Sequence, residues 1–248
     1  MMDSLLPRER VEVAPGAVLV PGWLDPDRQH ELLAACRAWA RPPAGLRRTR
    51  LPGGGVMSVR TVCLGWHWQD YRYSRTVDGV PVKPFPAWLA DLGRAAVLAA
   101  YSPGGAGAGR TAEPGQGANG ADSGGAAGPG SGDGEGGAAA GRYRPDIALV
   151  NFYDDNARMG LHQDKDERSP APVVSLSLGD TGLFRFGNTE SRRRPWTDIP
   201  LESGDLFVFG GPSRLAYHGV TRVLPGTAPV WLGLRGRLNI TLRESGLP

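Results

Sequence analysis

The chain has 248 residues, 37 of them glycine, and a formal net charge of +3. That length holds one substantial core or two small ones. Two cysteines, Cys36 and Cys63, exclude a disulfide framework and a cysteine-built metal site. No stretch approaches the ~20 apolar residues of a membrane span. The first residues, Met1 to Glu9, lack the apolar centre of a secretory signal, so the expectation is a soluble cytoplasmic protein with no membrane contact.

In chain order, Asp25-Pro26 reads as an N-cap with proline at the first helical position. After it, Leu32, Leu33, Cys36 and Trp39 recur at helical spacing. Met57 to Leu64 reads as a strand, followed by the aromatic group Trp66, Trp68, Tyr71 and Tyr73. A second helix is predicted from near Pro86, with Leu89, Leu92, Ala96 and Ala99 on one face, ending before Pro103. Residues 103–141 then hold 16 Gly and 10 Ala and no Val, Ile, Leu, Met or aromatic residue. Such a segment cannot bury enough apolar surface to offset the entropy of ordering itself. The organisation expected is therefore a single domain over 1–248, with its core at about 15–101 and 142–244, interrupted by a disordered insert at 102–141.

Beyond the insert, short apolar runs recur between Gly, Pro, Asp and Asn: Ile147–Tyr153, Val173–Leu178, Leu183–Phe186, Asp205–Phe209, Ala216–Val223 and Leu238–Leu242. Many short strands at this spacing predict a sandwich or barrel rather than a parallel α/β sheet. Only Lys83 and Lys165 among the 28 basic residues are lysine, a bias that points to a GC-rich genome more than to a function.

Four histidines can be weighed singly. His30 fits a solvated helix face, and His67 fits packing among aromatics. His162-Gln163-Asp164 sets an imidazole and a carboxylate two residues apart, on one side of a strand. With a distant His218 they match the two-His, one-carboxylate facial triad of non-haem Fe(II). The spacing alone is weak, since a chain of this composition shows such a pair by chance roughly one time in four. Arg237-Leu238-Asn239-Ile240-Thr241-Leu242-Arg243 alternates strictly. An edge strand with its polar face to solvent would read the same way. In a barrel, the polar face would instead turn two guanidiniums inward to clamp a dicarboxylate. Asn151 and Tyr153 share a parity just upstream of His162 and could add polar contacts.

Taken together, four stretches resemble the AlkB family of Fe(II)- and 2-oxoglutarate-dependent dioxygenases. These are Asn151-Phe152-Tyr153, Leu161 to Glu167, Ser213 to Gly219 and Arg237 to Arg243. Met57-Ser58-Val59, Leu64-Gly65-Trp66 and Val174 to Gly179 match as well, and the similarity covers about Trp23 to Arg243 outside the insert. The resemblance implies an α+β, β-rich fold: a double-stranded β-helix (jelly roll) core with flanking helices and an N-terminal nucleotide-recognition lid. It implies iron held by His162, Asp164 and His218, with 2-oxoglutarate held by Asn151, Tyr153, Arg237, Asn239 and Arg243. Arg237 would meet the distal carboxylate and Arg243 would lie nearer the metal. Trp66 would stack on a damaged base opposite His162. Asp166 and Glu167 would accept from an exocyclic amino group, and Tyr71 would contact backbone phosphates.

Two departures stand out. Phe209 replaces a tryptophan nine residues before the distal His, and Asn188 replaces the second glycine after Phe186. The following loop to Pro195 aligns poorly.

The activity implied is oxidative demethylation of N-alkylated nucleobases such as 1-methyladenine and 3-methylcytosine in DNA or RNA. It would consume O2 and 2-oxoglutarate and release succinate, CO2 and formaldehyde. A target on the Watson–Crick edge must be single-stranded or flipped from a duplex, and the protein would act as a monomer. Arg47, Arg48, Arg50, Arg192, Arg193 and Arg194 are candidates for backbone contact, weighed equally against being ordinary solvated arginines. The alternatives are a 2-oxoglutarate oxygenase of a non-nucleic-acid substrate and a non-catalytic nucleic-acid-binding module of the same fold.

Overall fold

A computed structural model describes residues 8–50, 53–102 and 134–248, with 134–136 in backbone only. The chain begins with β1 (Val11–Ala14) and β2 (Ala17–Val20), a hairpin, and then α1 (Pro26–Trp39). The Asp25 carboxylate accepts the Arg28 amide at 2.7 Å, so the N-cap foreseen in the sequence is present. Next come β3 (Arg47–Arg50), the long β4 (Val56–Leu64) and two small ribbons. The first ribbon is β5 (His67–Gln69) with β6 (Arg72–Ser74), the second β7 (Thr76–Val77) with β8 (Val80–Pro81). α2 (Ala87–Tyr101) starts directly after Pro86.

Residues 103–133, most of the segment expected to be disordered, lie outside the described residues. Its far end departs from that expectation, because Gly134–Arg142 form a helix, α3. The anchor is tertiary: Ala140 is buried, and next to the helix the buried Tyr143 donates its hydroxyl to the Leu242 carbonyl at 3.0 Å. Gly93 of α2 makes room, since a Cβ there would stand 3.1 Å from both the Tyr143 ring and Pro145.

Eight strands follow: β9 (Ile147–Tyr153), β10 (Met159–His162), β11 (Val173–Gly179), β12 (Thr181–Gly187), β13 (Trp196–Leu201), β14 (Leu206–Phe209), β15 (His218–Leu224) and β16 (Arg237–Arg243). They divide between two antiparallel sheets. The larger runs β1-β2-β14-β11-β16-β9-β4-β3, and the smaller runs β10-β15-β12-β13. Consecutive strands keep crossing from one sheet to the other, which makes the core a double-stranded β-helix, or jelly roll.

Strand parity sorts the side chains into two cores. On the outer face of the large sheet, Val150, Val174, Leu176, Val208, Ile240 and Leu242 pack with Leu32 and Leu33 of α1 and Leu89 and Val97 of α2. Between the sheets, Phe184, Phe186, Phe207 and Phe209 form an aromatic cluster with Val173 and Tyr153. β16 is buried along its whole length. Its Leu-Ile-Leu set meets the helices, so Arg237, Asn239, Thr241 and Arg243 face the barrel interior. That excludes the solvated edge strand as the reason for the alternation.

Among the described residues, no helix is long and apolar enough to cross a membrane.

Candidate active site

The interior polar face and the small sheet meet in a cavity of about 460 Å³, counted out to its open mouth. Its lining includes Asn151, Tyr153, His162, Asp164, His218, Arg237, Asn239 and Arg243. His162 ends β10 and pairs in register with His218, the first residue of β15, so the ladder itself sets the two imidazoles side by side. Each ring donates Nδ1–H to a nearby carbonyl, Gly160 for His162 and Ala216 for His218, both at 2.9 Å. The proton is thereby fixed on Nδ1, and both Nε2 lone pairs are left to ligate.

Asp164 lies just beyond β10 rather than on it, which corrects the picture of two ligands on one strand. The chain leaves the ladder because Arg214 takes hold of it. That buried guanidinium donates to the carbonyls of Asp164 (2.5 Å) and Ala171 (2.7 Å) and to the Glu167 carboxylate (3.0 Å). The turn aims Asp164 back at the histidines, 3.6 Å from His162 Nε2 and 3.5 Å from His218 Nε2. One donor atom from each of the three residues lies within 4.8 Å of the others.

The electrostatics suit a divalent cation. Burial, then the neighbouring His218, pushes His162 down to about 4, so it stays a neutral ligand. Burial alone would raise Asp164, but the Arg243 guanidinium and the two imidazoles hold it below the usual carboxylate range. Its Oδ2 is buried with no hydrogen-bond partner, a cost a metal ion would relieve. Two nitrogen donors and one hard oxygen on one face are the donor set of non-haem iron.

The two arginines of β16 sit in different surroundings. Arg243 Nη2 lies 2.7 Å from Asp164 Oδ1, and its Nη1 lies 2.9 Å from Glu167 Oε1. Arg237 is 1% exposed and makes no ion pair among the described residues. It donates to Ser177 Oγ at 3.0 Å and the Leu201 carbonyl at 3.1 Å, and its Nε is without a partner. Burial lowers its pKa. A desolvated guanidinium beside an unpaired N–H is a seat for a carboxylate, which fits 2-oxoglutarate. Between the two, Asn239 donates to Ser175 Oγ at 2.7 Å and Asn151 accepts from Thr61 at 2.9 Å. Burial pushes Tyr153 up to about 12, so its phenol remains a donor at neutral pH.

Three residues expected to meet substrate sit differently from one another. Tyr71 is 61% exposed at the tip of the first ribbon, where Asp70 and Tyr71 both adopt positive φ in a two-residue turn. Trp66 is not among the residues that line the cavity. It is 9% exposed, packed with Cys63, Ile147 and Leu149, and it donates its indole N–H to Asp146 at 3.1 Å. The Arg75 guanidinium lies 3.6 Å over its ring. Glu167 is corrected outright as a base contact. Its side chain is fully buried between Arg214 and Arg243 and accepts the Tyr73 hydroxyl, so it has no oxygen left for a substrate.

Asp166 is half-exposed and accepts the Trp68 indole N–H at 2.7 Å. Arg47 and Arg48 are paired with Asp78 and Asp154 respectively, while Arg192 and Arg194 lie over Tyr217 and Trp196. Sequence reading had named neither Arg214 nor Trp68 for a role. Arg214 lies in the matching stretch Ser213 to Gly219, but its partners, two backbone carbonyls and the Glu167 carboxylate, are remote in the chain and leave its role unreadable from sequence. Trp68 stood in the aromatic group without anything to single it out.

Comparison with known proteins places the chain. The sequence profile of the 2OG-Fe(II) oxygenase superfamily matches residues 16–243. An AlkB homolog of Caulobacter vibrioides is 53% identical over 102 residues, which is 41% of this chain and 46% of that protein. The chain thus spans about half the length of the first curated relatives it matches. AlkB of Escherichia coli is 34% identical over 210 residues, 81% of this chain and 77% of the relative. The solved structure of OsALKBH1 superposes with a TM-score of 0.72 at 32% identity, covering 94% of this chain and 100% of that one. The superfamily uses Fe(II) as cofactor and 2-oxoglutarate and O2 as cosubstrates, and the residues that would hold the first two are present and suitably charged. With its jelly roll, its facial triad and relatives of this kind, the chain belongs to the AlkB branch of the 2OG-Fe(II) oxygenase superfamily.

Proposed function

We propose that the protein oxidatively dealkylates N-alkylated nucleobases, such as 1-methyladenine and 3-methylcytosine, in DNA or RNA. The observation that carries this reading is the run outward from the triad: the loop bearing Asp164 continues within two residues to the half-exposed Asp166, which accepts the Trp68 indole N–H of an aromatic ribbon. Iron and 2-oxoglutarate, when bound, supply oxidation of the N-methyl carbon, so that methyl, O2 and 2-oxoglutarate leave as formaldehyde, succinate and CO2.

The chain's residues do the rest. His162, Asp164 and His218 would hold the metal. Arg237 would meet the distal carboxylate of the cosubstrate, with Asn151, Tyr153, Asn239 and Arg243 around it. Arg243 fixes the orientation of Asp164. Asp166 accepts from the exocyclic amino group of the base. Tyr71 reaches the phosphates. Trp66 serves as a stacking surface only after Arg75 swings off it, a light contact at an exposed arginine, worth about 0.5–1 kcal/mol. The substrate is single-stranded or flipped from a duplex, and the protein works as a cytoplasmic monomer.

The test is formaldehyde release from a single-stranded oligonucleotide carrying 1-methyladenine or 3-methylcytosine, with Fe(II), 2-oxoglutarate and ascorbate. Release is expected. His162→Ala and Asp164→Ala should each abolish it. No release, together with 2-oxoglutarate turnover on a different substrate, would overturn the assignment.

A further inference from the structure

The first ribbon is tied to the loop that carries Asp164 by two neighbouring hydrogen bonds. Trp68 and Tyr73 are a cross-strand pair. Trp68 Nε1 donates to Asp166 Oδ2 at 2.7 Å, and the Tyr73 hydroxyl donates to Glu167. Glu167 is consumed inside the protein. Asp166 differs: it is half-exposed, and among the described residues Trp68 is its only hydrogen-bond partner. An indole has one N–H and no acceptor. Its direction here is set by the β5–β6 pairing and by the edge-on contact with Tyr71, at 5.9 Å and 89°. One carboxylate oxygen is therefore occupied by the indole, and among the described residues the other accepts no hydrogen bond.

We propose that Trp68 is a positioning residue that sets base selectivity through Asp166. By pinning Oδ2, it leaves Oδ1 as a fixed acceptor. The site then favours bases whose Watson–Crick edge carries an amino group over those that carry a carbonyl. This rests on the dealkylation reading above. Trp68 need not touch the base, because it acts by fixing which atom of residue 166 does.

The experiment measures binding rather than turnover. The full-length protein, without iron, is titrated with single-stranded oligonucleotides that are identical except for one 3-methylcytosine (amino), one 3-methylthymine (carbonyl) or an unmodified base, read by fluorescence anisotropy. The wild type is expected to prefer 3-methylcytosine. Trp68→Phe keeps the ring and loses the N–H; it should weaken 3-methylcytosine binding about tenfold, the worth of one hydrogen bond to a charged group, and leave 3-methylthymine within about twofold.

The sharper variant is Asp166→Asn, which is also the reserve should Trp68→Phe fail to fold. The indole N–H pins the amide oxygen, the NH2 must face the base, and the preference reverses toward 3-methylthymine. In Trp68→Phe/Asp166→Asn the amide can turn either way, and the preference should vanish. Equal weakening of both ligands by Trp68→Phe overturns the proposal. So does a reversal by Asp166→Asn that survives loss of the indole. A wild type that binds neither methylated strand better than the unmodified one removes the dealkylation reading, and the proposal with it.

Discussion

Arg237 and Arg243 bracket the same seven-residue strand, yet their environments oppose each other. Arg243 is surrounded by Asp164, Tyr73 and Glu167, which raise its pKa against the pull of burial, whereas at Arg237 burial outweighs the opposing pull of Tyr153 and Asp205 and lowers it. An unpaired buried cation contributes little to stability. Arg237→Met should therefore raise the 2-oxoglutarate KM at least about tenfold while moving Tm by no more than a few degrees, checked by steady-state kinetics and a thermal melt. A large drop in Tm would mean that Arg237 is structural.

The two thiols give a second residue-level expectation. Burial pushes Cys36 up to about 12 and Cys63 to about 11, from 9.0. The folded state thus holds these protons more tightly than the unfolded chain. The stability this contributes is complete below pH 9 and is lost as pH rises from 9 towards 11 and 12. Denaturant midpoints at pH 8 and pH 10 should show the fall, and neither thiol should react with a disulfide reagent at pH 8 until the protein is unfolded. The type of each metal ligand was readable from the sequence, since few residue types can do that work. What turns Asp164 toward the histidines was not readable, because Arg214 acts on partners remote in the chain.

At the level of elements, two glycines keep the two halves of the site apart in function. A Cβ on Gly219 would stand 2.5 Å from the Met159 carbonyl oxygen and 2.8 Å from that of Gly160, forcing β10 off β15 and His162 away from His218. A Cβ on Gly182 would stand 2.7 Å from Arg237 Nε, so the buried guanidinium would have to shift. Gly219→Ala should cost metal affinity, read as a weakened Co(II) absorption titration. Gly182→Ala should leave that titration unchanged and weaken 2-oxoglutarate binding.

Strands β9 and β11 were legible as apolar runs and are buried almost throughout, whereas β16 was legible by its alternation although its polar face is buried too. β13 was not, since its pattern is mostly exposed and it follows a loop of polar residues. α3 was hidden for another reason: three alanines in a glycine-rich segment become a helix only where Tyr143 and α2 hold them.

For the whole molecule, residues on both sides of the 103–133 segment enter one core, as Leu32 and Val97 meet Ile240 and Leu242. Loop-closure cost grows only slowly with length. Replacing 103–133 with a short Gly/Ser connector should accordingly leave Tm within a few degrees and formaldehyde release intact; a collapse of either would give that segment a role of its own.

The strand order has a consequence in time as well as in space. β16 comes last in the chain yet lies between β11 and β9, near the middle of the large sheet. A ribosome delivers the chain from its N-terminus, so His162, Asp164 and His218 all emerge before residue 237. Until β16 follows, the nascent sheet has a gap with two bare edges, and neither arginine is in place. The last strand therefore closes the barrel and delivers the cosubstrate clamp in one step. A chain released early would carry every metal ligand and lack both arginines.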